Sequence, residues 1–271
     1  MNILVIDSHN MLHRARHGYG QGDHIMTFGF FRSLKSEITK HNADKVFIVS
    51  EGYPIHRYRL NPEYKGTRIS IKDDGFYRQK DDVFKICSYL PITYIRHPDY
   101  ECDDVIGYIC ETANKKDNVT IVSTDSDFIQ LLELENVKLW NPIKKKFIEK
   151  WPVDYVAWKA LVGDKADNVP GIKGIGSKRA FKLLGDKDFF GEFLSNNSNK
   201  ELYDNCYEQI KLANLDGFSL GLEIKNYKFD EEKLKESFTK RSFKSIIEKA
   251  WPKWQDTMEK LNNVNSGYTV N

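Results

Sequence analysis

The sequence predicts an α/β fold: a central, mostly parallel sheet flanked by helices, with a helical C-terminal part. Three observations carry this. Short, largely apolar and β-branched runs recur at 3–6, 45–49, 92–95 and 119–122. Stretches with helix-period apolar residues alternate with them, the pattern of parallel strands joined by crossover helices. From Trp151 onward the strand pattern stops and helical patterns take over.

Composition sets the outer bounds. The chain has 271 residues, 40% hydrophobic and 13% aromatic, which is ample for a sizeable core. No apolar run is long enough to span a bilayer. The N-terminus enters a strand pattern with no basic leader or apolar h-region, so a cytoplasmic protein is expected. Cys87, Cys102, Cys110 and Cys206 show neither CxxC pairing nor His companions at zinc spacing, and read as reduced, buried thiols. A net charge of +2 does not itself indicate a polyanion partner, but it can conceal one acidic pocket and one basic surface.

In order, the run at 3–6 is the first strand and ends at Asp7. Phe30, Phe31, Leu34 and Ile38 repeat at helical spacing, so 26–41 is a helix. The strand at 45–49 ends in Ser50-Glu51-Gly52, again with an acid just past an apolar run. A polar segment to about Lys80 follows, with Lys65, Arg68, Lys72, Arg78 and Lys80 interleaved with Tyr58, Tyr64, Phe76 and Tyr77. Most such charge runs are solvated loops; basic residues mixed with rings also suit single-stranded nucleic acid. Residues 69–80, with few large aliphatic side chains, are expected to be mobile. A helix over 81–90 and a strand at 92–95 come next.

Tyr100-Glu-Cys-Asp-Asp104 opens another helix. Acids in a first turn commonly complement the macrodipole, but three of them (Glu101, Asp103, Asp104) in four positions exceed what capping needs. The strand at 119–122 ends in Ser123-Thr-Asp-Ser-Asp127, and a hairpin is expected through Lys144-Lys-Lys146. Helices are expected at about 152–162, 177–184, 200–214, 231–238 and 243–260, and a disordered polar tail over 262–271. The shift in texture places a boundary near 150.

In a parallel sheet the ends of strands one, two and four converge on one edge, where ligands bind. That edge would gather Asp7, Glu51, Glu101, Asp103, Asp104, Asp125 and Asp127, with Asp164 and Asp167 of Gly163-Asp-Lys-Ala-Asp-Asn168. Two carboxylates 4 Å apart repel by about 4 kcal/mol at an effective dielectric near 20, so such a cluster needs protons or cations. Oxygen donors without His or Cys select hard cations such as Mg²⁺ or Mn²⁺. A paired-ion site of this type is a phosphoryl-transfer clamp. In Val169-Pro-Gly-Ile-Lys-Gly-Ile-Gly-Ser-Lys-Arg-Ala180, Gly171, Gly174 and Gly176 permit tight turns. Ser177 opens a helix whose first turn carries Lys178 and Arg179, and free N–H groups there bind phosphate without reading bases. A plain helix–helix turn does not need three glycines and a basic pair; this is a helix-hairpin-helix pattern.

These motifs together resemble the phage and bacterial 5′-nuclease family: flap endonucleases, the 5′-nuclease domain of DNA polymerase I, and the phage T4 and T5 enzymes. The match covers Asp7 to about Ala180 and includes Tyr64-Lys-Gly-Thr-Arg68. Val137-Lys-Leu-Trp-Asn-Pro resembles the T4-type RNase H; the intact glycine turn is more similar to the T5-type enzyme. The resemblance implies a 5′-nuclease core over 1–150 with a helical arch at about 60–90, and a DNA-binding helical subdomain over 151–261. It implies a two-metal 5′–3′ exonuclease and flap endonuclease acting on flaps, nicked duplex and RNA primers on DNA. By resemblance Asp7, Glu101, Asp103 and Asp125 hold the more catalytic metal, and Asp127, Asp164 and Asp167 the second. Lys65 and Arg68 touch the scissile phosphate, Tyr64 lies along the DNA, and the glycine turn grips duplex and holds K⁺. A monomer is implied, with a single-strand-binding protein or clamp as partners. Glu51 stands where the family has aspartate. A degraded, non-catalytic binder has no use for an acid cluster that repels DNA, and the RNA-directed PIN nucleases lack the glycine turn.

Overall fold

The structure, a computed structural model, describes residues 1–18, 22–66, 73–212 and 217–265. β1 (Asn2–Asp7) runs directly into α1 (Ser8–Gly18), and α2 (Ile25–Lys40) packs on α1 before β2 (Lys45–Ser50). α3 (Ile55–Leu60) and α4 (Asp74–Cys87) precede β3 (Thr93–Arg96). α5 (Cys102–Thr112) leads to β4 (Asn118–Val122), then to a 3-10 helix over Asp127–Glu133 and the hairpin of β5 (Val137–Asn141) and β6 (Lys146–Phe147). Four helices follow: α6 (Tyr155–Val162), α7 (Ser177–Leu184), α8 (Lys187–Ser195) and α9 (Asn197–Ile210). The last described elements are a 3-10 turn at Phe218–Gly221, β7 (Glu223–Asn226), α10 (Glu231–Lys240), α11 (Lys244–Ile247) and α12 (Trp251–Asn265).

The described strands form one seven-stranded sheet in the order β6-β5-β4-β1-β2-β3-β7. The five inner strands are parallel and both edges are antiparallel. β1 lies between β4 and β2, so strand order reverses at its carboxyl end, and a crevice opens there. Alternate residues feed opposite faces. Ile3, Val5, Phe47, Val49 and Ile121 meet Val105, Ile106 and Phe128 on one side. Leu4, Ile6, Val46, Ile48 and Val122 meet α1, α2, α4 and the C-terminal helices on the other. Both faces are covered, as parallel sheets require.

Four expectations need correction. The strand pattern does not stop at Trp151: β7 adds an edge strand, invisible as an apolar run because all four of its residues are exposed. Residues 151–261 are not one helical unit. α6, α7 and α9 share an apolar cluster around Ala160, Leu161, Leu183 and Cys206, whereas Leu234, Phe238, Trp254 and Met258 return to the sheet beside Phe30, Phe31 and Leu34. The helix expected at 81–90 begins at Asp74, because Asp73 caps it by accepting from the Phe76 N–H at 2.9 Å. Phe76, Val83, Ile86 and Cys87 bury along one side of it, so 74–80 is helix anchored by Phe76 rather than loop; 67–72 lie outside the described residues. Finally, the helix expected at 243–260 is two, α11 and α12, and α12 runs to Asn265, into the expected tail. Residues 266–271 lie outside the described residues.

Candidate active site

Three adjacent strands deliver acids to one edge. Asp7 ends β1, Glu51 follows β2, and Asp125 lies just past β4. Asp7 is buried and fully engaged: Ser123 Oγ donates to Oδ2 at 2.7 Å and the Asn10 N–H to Oδ1 at 3.0 Å. Burial nevertheless raises its pKa to about 6, with Asp125 adding repulsion. Glu51 Oε2 accepts the Cys102 N–H at 3.0 Å. Burial, then the charge of Glu101, pushes it to about 7. Asp103 is raised well above the usual carboxylate range by burial and by Asp125, Asp7, Glu51 and Glu101. Glu51 therefore sits within the field of the other acids; its longer side chain supplies the carboxylate after strand two.

A second group is built from Asp127, Asp164 and Asp167, whose oxygens lie within 4.8 Å of one another. Asp164 and Asp167 are held by a turn that closes through paired hydrogen bonds, Asp164 N–H to Val169 O and Val169 N–H to Asp164 O, both 2.8 Å. Burial raises Asp127 to about 6 against the pull of Lys159. Asp164 is raised by burial but brought below its ordinary value by the Lys159 hydrogen bond and charge. Asp103, Asp127, Asp164, Asp167 and Glu101 line a common cavity, so the two groups are contiguous.

Cations balance these acids. Lys159, on α6, contacts Asp127 and lies 2.6 Å from Asp164. Sequence reasoning missed it, although a signal existed: it is the one charge in the apolar run Tyr155-Val-Ala-Trp-Lys-Ala-Leu-Val162. Lys65 contacts Glu101 Oε1. Arg57, also missed, is buried and bidentate to Asp104 at 2.7 and 2.8 Å, and donates to Glu101 Oε2 at 2.8 Å. Nothing in its local sequence separates it from Arg59. Asp104 is thereby drawn out of the ligand set expected for it: Arg57 occupies both its oxygens, and Oδ2 also accepts the Glu101 N–H at the start of α5. Tyr64 also departs from expectation. Its ring is buried, and its hydroxyl reaches Glu101 at 2.9 Å and Asp167 at 3.3 Å, so it is a strut inside the site and not a surface for bases. Arg68 lies outside the described residues.

The glycine turn joins α6 to α7. Gly163 and Gly171 both have positive φ, +85° and +66°, and a Cβ on Gly171 would sit 2.4 Å from Gly163 N, so the two strands of the turn require backbone against backbone. Ser177 begins α7 behind Gly176, and Lys178 and Arg179 are exposed on its first turn. Gly174, at φ +81°, is open to solvent.

Residues 2–159 match the family described as the 5′-3′ exonuclease, N-terminal resolvase-like domain. The chain belongs to the 5′–3′ exonuclease family. The 5′-3′ exonuclease of Aquifex aeolicus is 32% identical, over 81% of this chain and 83% of that protein. The thermostable DNA polymerase I of Thermus thermophilus is 31% identical over 84% of this chain, which spans only 29% of the polymerase's length. Structures of the phage T5 flap endonuclease with DNA and metal ions (TM-score 0.63, 18% identity, 98% of this chain and 100% of that one) and of the T5 5′-exonuclease with zinc (0.62, 20%, 98% of each) share the fold. The family match ends inside α6, so the glycine turn and the Asp164–Asp167 loop lie beyond it.

The site's donor set is chemically suited to hard divalent cations. It is oxygen-only, and Asp7, Glu51, Asp103 and Asp127 are all raised by burial and mutual repulsion, so a bound divalent cation would favour their charged forms.

Proposed function

We propose that this protein hydrolyses phosphodiester bonds at 5′ ends and flaps of branched or nicked DNA, and of RNA primers annealed to DNA. The observation that carries the reading is the contiguity of the two carboxylate groups at the carboxyl edge of the sheet, with Lys65 reaching into the first. Asp7, Glu51, Glu101, Asp103 and Asp125 would hold one Mg²⁺, and Asp127, Asp164 and Asp167 the second; Mn²⁺ has the same donor preference. When bound, such ions polarise the scissile phosphate and make the attacking water more acidic.

The chain's own residues do the rest. Ser123 and the Asn10 N–H fix the Asp7 carboxylate in one orientation. Arg57 and Tyr64 hold Glu101 by one oxygen, which leaves Oε1 toward Lys65. Lys65 and Arg68 stabilise charge developing on the phosphate. Gly171, Gly174, Gly176, Ser177, Lys178 and Arg179 hold duplex by its backbone, with K⁺ at the turn. The protein works as a monomer, with a single-strand-binding protein or clamp as partner. The test is cleavage of labelled flap, nicked and RNA-primed duplexes in Mg²⁺ and in EDTA. Cutting near the 5′ junction only with Mg²⁺ is expected; turnover in EDTA would overturn the metal reading.

A further inference from the structure

Two non-glycine residues near the site have left-handed backbones, Lys65 at φ +56° and Asn168 at φ +60°. Each such position is strained for a side chain with a Cβ and persists only where its surroundings over-determine it; Asn tolerates it best. These two face each other across a polar staple. The Lys65 N–H donates to Asp167 O at 3.2 Å. Asn168 Nδ2 donates to Glu63 O at 3.0 Å. Asn61 Nδ2 donates to Asn168 O at 3.3 Å and to Gln209 Oε1 at 2.9 Å, while its Oδ1 accepts the Glu63 N–H at 3.0 Å. The turn over 61–66, which carries Lys65, is thus fastened to the loop that carries Asp164 and Asp167 and runs straight into Gly171.

We propose that Asn168 is a positioning residue that couples engagement of duplex at the glycine turn to the seating of Lys65 beside Glu101. The inference rests on the nuclease reading above. The loop over 164–169 is tied to itself by the Asp164–Val169 pair and continues through Pro170 into the turn, so a load on the turn reaches Asn168 with little slack. From there the two side-chain amides pass it to the backbone at Glu63, two residues from Lys65. Substrate gripped downstream then sets the register of the cation that meets the phosphate.

The test is Asn168→Gly. Glycine keeps the left-handed backbone without steric cost, so the carboxylates of the loop stay in place while the amide is lost. Amide exchange at Lys65 and Gly66 is followed in EDTA, with and without duplex. Duplex should slow exchange at Lys65 at least severalfold in the wild type, and much less in N168G, while duplex affinity changes less than twofold. In Mg²⁺, kcat should fall about tenfold with KM nearly constant, and cut positions should spread to neighbouring bonds. Equal responses of Lys65 exchange in the two proteins, or no response in either, overturns the coupling whatever the cleavage assay gives. A matched loss of duplex affinity and kcat overturns it too, because that marks a collapsed loop. Failure of the wild type to cut any substrate speaks against the nuclease reading alone, since the exchange arm needs only binding.

Discussion

Arg57 shows how one buried charge organises a site. It neutralises Asp104, steadies Glu101 and donates to Gln209 O at 3.3 Å, joining α3, α5 and α9. Arg57→Ala strands Asp104 in a buried setting and should cost about 3–5 kcal/mol in urea unfolding. Adding Asp104→Leu should recover part of that loss; if the double variant is no more stable than the single, the stranded charge is not the cause. Under the proposed function Lys65 acts on chemistry instead. Lys65→Ala should lower kcat at least about tenfold, about 1.4 kcal/mol of transition-state stabilisation, with a smaller change in KM. A rise in KM alone would assign Lys65 to binding. Asp125→Asn should nearly abolish cleavage and leave duplex binding largely intact, read by gel shift in EDTA. At this scale the acids were legible because Asp7, Glu51 and Asp125 each follow an apolar strand. Arg57 was not, because only folding decides which arginine of α3 turns inward.

Among elements, α7 was the most legible: three glycines, a serine start and an immediate basic pair specify a turn and a helix N-terminus before any packing is known. Its exposed Lys178 and Arg179 motivate a second kind of prediction. Replacing both with alanine should weaken duplex binding alike for any base sequence, and should flatten log K against log salt by about 0.9 per lost phosphate contact. An unchanged slope would remove α7 from the grip. α1 and β7 were illegible for opposite reasons. α1 buries only Ser8, Met11, Leu12 and Ala15 among His and Arg, too sparse an apolar stripe to read. β7 has an exposed, polar sequence and is a strand because β3 offers it an unpaired edge.

For the whole molecule the acid cluster ties folding to pH and, under the proposed function, to metal. Asp7, Glu51 and Asp127 have folded pKa values of about 6, 7 and 6, above their ordinary 3.8, 4.5 and 3.8. The folded state therefore binds these protons more tightly than the unfolded state. Their contribution to stability is full below about pH 4 and is lost as pH rises through about 6–7. Asp164, with its lowered value, acts in the opposite sense: its contribution is present above about pH 4 and is lost as pH falls below that. In EDTA the melting temperature should thus fall between pH 5 and pH 8. Mg²⁺ should restore it, with a larger gain at pH 8, because only the deprotonated cluster binds cation. Melting curves at both pH values, with Mg²⁺ and with EDTA, check this; an equal Mg²⁺ shift at the two pH values would sink it.

By itself the sequence determined the α/β class, the strand ends that carry acids, the glycine turn and the family. All of these rest on short-range signals: apolar runs that need two covered faces, a φ that suits glycine, carboxylates too dense to stand without cations. Only the tertiary structure decided where the helices after 217 belong. Their apolar faces fit either the α6–α9 cluster or the sheet, and the sheet's exposed face beside α2 takes them. It likewise decided that Tyr64 is buried, that Arg57 claims Asp104, and that Lys159 bridges the second acid group. Those choices depend on which distant side chains meet once the sheet is closed, with partners 103, 47 and 32 residues apart along the chain, a separation that local pattern does not encode.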